Sequence, residues 1–177
     1  MLGFALAGGV ALAETGPSLA ELLANPELTP RRFARHFEDF EYEYHEAVQP
    51  PETFLARRRG DCDDYSVLAD HVFRHHGRAT RLVHVRLVAR VAHAVCYIED
   101  TGGYLDYNHR RYFFKLRRSG ATLREIAERV AEDLEANWTS VSEFTHDYAT
   151  GRKRLLRTVV KAMSPELDAD VRARRNP

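Results

Sequence analysis

The sequence predicts an α+β domain, and three observations carry that reading: helical spacing up to residue 76, strict alternation from residue 81, and helical signals again from residue 122. Ser18 to Leu23 reads as a short helical turn, and Pro30 opens a second helix through Phe33 and Phe37. Phe40-Glu41-Tyr42-Glu43-Tyr44 alternates aromatic with acidic residues, which suits a half-buried strand or an extended arm. Pro50-Pro51 interrupts, and Glu52 to Arg59 forms a helical turn leading to Gly60. From Cys62 to His76, Tyr65, Leu68, Ala69, Val72 and Phe73 recur on one helical face, and Gly77 stops the helix.

The period then changes. Val83, Val85, Leu87, Ala89 and Val91 share one side of a strand over 81–91, opposite His84, Arg86 and Arg90. Ala92 to Glu99 is a second strand, 100–103 (DTGG) a turn, and Tyr104 to Asn108 a third strand. Thr122 and Glu125 form a capping box ahead of Ile126, Val130 and Leu134. A final helix is expected over Arg152 to Met163. The architecture expected is the Cys62 helix packed on a small antiparallel sheet, with flanking helices.

With 177 residues the chain is long enough for one domain with a real core. A hydrophobic share of 44% excludes a disordered chain, and Lys+Arg 26 against Asp+Glu 26 provides no global positive field for nucleic acid. The basic C-terminal stretch, GRKRLLRTVVKAM and VRARRNP, reads as a solvated helix face. Leu2 to Ala13 is apolar, too short to span a bilayer, and closes on Ala11-Leu12-Ala13, the pattern of a cleaved secretory signal. A buried first helix is the competing reading, weakened by Gly8-Gly9. The expected division is a signal peptide over 1–13 and a single domain over 14–177, periplasmic or secreted, with no membrane span.

The segment RRRGDCDDYS (57–66) sets one of only two cysteines among acids at a helix start. Unpaired first-turn N–H groups and the helix dipole stabilise a thiolate there. His93 on the second strand and Asp106 on the third lie across a tight hairpin, where an aspartate can hold an imidazole's tautomer and orientation. Cys62, His93 and Asp106 thus form a candidate nucleophile, base and orienting carboxylate. Residue types alone leave open a structural histidine and a turn-capping aspartate. Strand parity sets Cys96 opposite His93, hence away from the catalytic side and packed as a small hydrophobe; a Cys62–Cys96 disulfide is the alternative for an exported chain. His71, His75 and His76 read as helix-end caps rather than metal ligands.

GDCDDYS, then HAVCYI about thirty residues on, then YLDYN resemble the transglutaminase-like superfamily, and within it the bacterial transglutaminase-like cysteine peptidases. Pro51-Glu52-Thr53-Phe54-Leu55 ahead of Gly60-Asp61-Cys62-Asp63-Asp64-Tyr65 matches that family's pattern, over roughly residues 40–115. The resemblance implies a papain-like Cys62-His93-Asp106 triad in a periplasmic thiol protease acting on protein or peptide. It also implies Ca²⁺ held by acids flanking the cysteine, which here are Asp61, Asp63 and Asp64. The same acids can instead simply favour the helix start. Val48 stands where that family often has an aromatic residue, leaving His45 and Gln49 as nearby polar side chains for the oxyanion side. Asp63 replaces a more usual glutamate. A transglutaminase-type acyl transferase and a non-catalytic peptide- or wall-binding module are the alternative functions.

Overall fold

A computed structural model describes residues 16–112 and 115–162. The expected leader therefore lies outside the described residues. Three short helices come first: α1 (Leu19–Ala24), α2 (Pro30–Arg35) and α3 (Pro51–Arg57). The longest helix, α4 (Cys62–His75), follows a two-residue parallel pairing of β1 (Glu41–Tyr42) with β2 (Arg59–Gly60). The main sheet contains β3 (Thr80–Leu87), β4 (His93–Ile98), β5 (Gly103–Leu105), β6 (Leu116–Arg118), β7 (Trp138–Asp147) and β8 (Arg152–Val160). Their order is β6-β5-β4-β3-β7-β8, antiparallel throughout. A fifth helix, α5 (Leu123–Asp133), enters from β6.

Both faces of the sheet are covered. Leu82, Cys96, Ile98, Leu105 and Phe144 pack in one cluster with α4 and the early helices. Val83, Val85, Val95, Tyr97 and Tyr104 pack with Ile126, Ala127 and Val130 of α5 in another. Every residue of β4 is consequently buried, so HAVCYI is apolar almost without interruption rather than alternating. The early helices dock through an aromatic cluster: the Phe37 ring lies 4.8 Å from Phe33, 4.8 Å from Phe40 and 5.1 Å from Tyr65. Among the described residues no helix is long and apolar enough to cross a membrane.

Several expectations are corrected. Arg152–Val160 is a strand, not a helix; it returns on β7, a strand the sequence reading left out, through a turn in which Gly151 takes φ +64°. β8 is exposed on both faces, so no alternation marks it as a strand. Its Thr158-Val159-Val160 end is the β-branched signal that decides. The strand expected over 81–91 stops at Leu87, because Ala89 turns the chain with φ +54°. Tyr104 to Asn108 is likewise cut short, a single 3₁₀ turn taking over at Tyr107. In the 40–44 arm Phe40 is buried whereas Tyr42 and Tyr44 are exposed, so the alternation has no single buried side. His76 is the C-cap of α4 through its backbone N–H, which bonds the Val72 carbonyl at 3.1 Å, but its imidazole leaves the helix: Nε2 bonds the Leu22 carbonyl at 3.0 Å. His71 instead meets the Tyr148 ring edge-on.

Candidate active site

The acids of RRRGDCDDYS build the start of α4. Asp61 is the N-cap: its Oδ1 accepts the N–H groups of Asp63 (2.9 Å) and Asp64 (3.3 Å), and Asp64 Oδ2 accepts the Asp61 N–H in return (3.1 Å). Their remaining capacity fastens the preceding arm. Asp61 Oδ2 accepts the His45 N–H at 2.9 Å, while Asp64 accepts the Gln49 N–H at 2.7 Å and Gln49 Nε2 at 2.8 Å. Gly60 is required by this knot, since a Cβ there would meet Asp64 Oδ2 at 2.5 Å and the Phe54 ring at 2.7 Å. Asp63 alone turns outward, 3.5 Å from Lys153 Nζ.

This arrangement does not fit a calcium ion. Ca²⁺ needs six to eight converging oxygens, whereas Asp61 and Asp64 direct theirs at backbone and amide N–H donors and Asp63 faces a lysine. Among the described residues no group of three or more His, Cys, Asp and Glu is placed to hold a metal.

Cys62, the first residue of α4, is partly exposed, and both cysteines are free thiols. The expected position of Cys96 needs correction. It packs on the α4 side of the sheet, where Asp70 and Arg74 are its charged neighbours. Asp70 lies eight residues along the helix from Cys62, about 12 Å at 1.5 Å per residue. Depth along α4 separates the thiols, not the sheet.

His93 opens β4 opposite Val85 of β3, and Asp106 follows the last residue of β5. His93 is 6% exposed and Asp106 fully buried. The Nε2 of His93 lies 2.9 Å from Asp106 Oδ1. Cys62 lines the same cleft as this imidazole, and with Nε2 taken by Asp106, Nδ1 is the ring nitrogen left free. Burial pushes the His93 pKa down, but the charge and hydrogen bond of Asp106, with those of Cys62, hold it well above the ordinary histidine value. Burial likewise opposes ionisation of Asp106, yet His93 and His109 keep it well below the usual carboxylate range.

The sequence reading missed two histidines. His109 Nδ1 sits 3.2 Å from Asp106 Oδ2, so the carboxylate is held from both sides. The i,i+3 spacing in DYNH across a turn was the available signal. His84 lines the same cleft as Cys62 and His93, and burial, then Lys153, lowers its pKa to about 4. Gln49 is withdrawn from any oxyanion role, both amide hydrogens being engaged by Asp64 and the Arg59 carbonyl. His45 lines the cleft; its buried Nε2 makes no hydrogen bond and lies 3.6 Å from Glu43 Oε1.

The cleft above Cys62 has a volume of about 530 Å³. It is lined by the 42–46 arm, by the turn between β3 and β4, and by Leu134. A cysteine at a helix start thus shares one cleft with an imidazole–carboxylate pair carried by the antiparallel sheet of an α+β domain. The chain belongs to the transglutaminase-like superfamily, whose family model matches residues 18–109, from the N-cap of α1 to just beyond Asp106. That superfamily includes cysteine peptidases and acyltransferases. A comparison with curated proteins returns no match.

Proposed function

We propose that this protein is an exported cysteine peptidase in which Cys62 is the nucleophile, His93 the general base and acid, and Asp106 the residue that orients His93. The observation carrying the reading is one imidazole in one cleft with the helix-start thiol: a ring nitrogen of His93 is tied to a fully buried aspartate, and Cys62 lines the same cleft. Cys62 Sγ attacks the substrate carbonyl carbon, and the negative oxygen that develops meets donors on the helix-start side. The Cys62 N–H, a first-turn donor without a partner in its own helix, and the His45 imidazole, whose Nε2 has Glu43 Oε1 at 3.6 Å but no hydrogen bond, are the groups nearest in the cleft for this. The C–N bond breaks as His93 Nδ1 gives its proton to the departing amine, leaving a thioester. Water then attacks, returns a proton to His93, and releases the carboxylic acid and the thiol. Export rests on the apolar segment ending at Ala13.

The test is reaction of the folded protein with iodoacetamide and with an acylating peptide ester, followed by peptide mapping. Cys62 is expected to carry both adducts and Cys96 neither, because burial, then Asp70, raises the Cys96 pKa well above the usual thiol range. Turnover retained by Cys62→Ala, or adducts on Cys96, overturns the assignment.

A further inference from the structure

Eight large apolar or aromatic side chains are exposed among the described residues, and three of them, Tyr42, Tyr44 and Val91, line this one cleft. Their exposures are 58%, 62% and 72%. Scattered surface hydrophobics are ordinary, but a concentration around a concave site marks a binding surface. Tyr42 and Tyr44 lie two residues apart on an extended arm, and Val91 lies in the segment between β3 and β4 that also lines the cleft. Tyr42 and the candidate nucleophile Cys62 line the same cleft.

Both segments are fixed in place. The arm is held by Glu43 N–H to the Gly60 carbonyl (2.9 Å), by Tyr107 Oη to the Glu41 carbonyl (2.8 Å) and by His45 N–H to Asp61. The β3–β4 turn is tied down by Val88 N–H to the Asn137 carbonyl (2.8 Å) and by Arg90 Nη1 to the Leu134 carbonyl (2.7 Å). Apolar surface on pinned backbone needs little ordering when a ligand arrives, so its burial is available for binding. Charge does not select in the same way. Glu46 and Asp63 are set against Arg90 around the rim, and Asp63 is partnered by Lys153. The volume of about 530 Å³ lies within the range of about 300–1,000 Å³ usual for ligand sites.

We infer that the cleft selects peptide substrates with a large apolar or aromatic side chain beside the scissile carbonyl, seated between Tyr42–Tyr44 and Val91. The inference rests on the reading of Cys62 as nucleophile. It is tested with two peptidyl chloromethyl ketones that differ only in carrying phenylalanine or glutamate next to the reactive carbonyl. The Cys62 thiolate displaces chloride from the methylene carbon and forms a thioether, whose rate is followed by mass spectrometry. Iodoacetamide, with no side chain to recognise, is the reference.

The phenylalanyl probe should react about tenfold faster or more. Tyr44→Ser and Val91→Ser, both exposed positions, should each cut that ratio by about threefold or more. Equal rates for the two probes, a faster glutamyl probe, or a ratio untouched by either variant overturns the inference while iodoacetamide labelling of Cys62 keeps the nucleophile assignment. If iodoacetamide leaves Cys62 unmodified, the assignment falls and the inference with it.

Discussion

Asp64→Asn separates a structural clamp from a metal ligand at the acids beside Cys62. Asp64 is 1% exposed and accepts three N–H donors, two on Oδ2 and one on Oδ1. Asparagine keeps one acceptor oxygen, and its amide group must face a donor whichever way it turns. A lost hydrogen bond to a buried charge costs about 1.5–3 kcal/mol, and an opposed buried donor about 1–3 kcal/mol. Partial relaxation of the 45–49 arm brings the expected loss to about 2–4 kcal/mol. For a chain of this size that corresponds to a fall in melting temperature of about 5–15 °C. Thermal and urea unfolding, monitored by circular dichroism with chelator and with millimolar calcium, is the assay. The wild-type melting temperature should not respond to calcium, since a ligand that does not bind the native state cannot stabilise it. A loss below about 1 kcal/mol, or a calcium-dependent rise in the wild type, refutes the clamp.

His93→Ala should lower kcat/KM by about 10³-fold or more, and Asp106→Asn by about 10²–10⁴-fold, with both variants folded by circular dichroism. The raised His93 pKa means that the protonated pair stabilises fully below 6.5 and loses this as pH rises through the folded-state value; the lowered Asp106 pKa contributes above 3.8 and fails only at more acid pH. Asp106→Asn should therefore remove an alkaline loss of stability seen in the wild type, and identical pH profiles would sink the coupling. His84 shifts the other way, from 6.5 to about 4, so the native state is destabilised as pH falls through that window, by at most about 3 kcal/mol. His84→Gln should flatten that acid limb in pH-dependent unfolding, and an unchanged limb would assign it to other groups. Phe37→Ala, at a fully buried ring among Phe33, Phe40 and Tyr65, should cost about 3–5 kcal/mol by urea unfolding; a cost under about 1 kcal/mol would mean the aromatic cluster collapses around the gap.

What could be read beforehand follows the range of the interaction concerned. The α4 start and the α5 capping box are signalled within four residues, and both form where expected. The His93–Asp106 pairing crosses a short hairpin, so thirteen residues of separation were still within the reach of strand logic. Longer-range partners were not legible. The hold of Asp64 on Gln49 spans 15 residues, and that of Lys153 on Asp63 spans 90. Strand β8 was misread because its environment, exposure on both faces beside β7, erases the alternation by which a strand is recognised.

The same distinction explains why three acids beside a cysteine suggested a metal. In one dimension Asp61, Asp63 and Asp64 are merely adjacent like charges, and a cation is the obvious remedy. In three dimensions the N–H groups of the first turn and of the 45–49 arm already surround two of them. Backbone donors of this kind favour the charged carboxylate, against the burial that on balance raises the Asp61 pKa, and they add what a diffusible ion lacks, a fixed direction. Each bond that satisfies Asp61 or Asp64 also sets where the 42–46 wall stands relative to Cys62. Capping, charge compensation and placement of the cleft wall are therefore one set of contacts, and a lesion at Asp64 should disturb stability and Cys62 reactivity together.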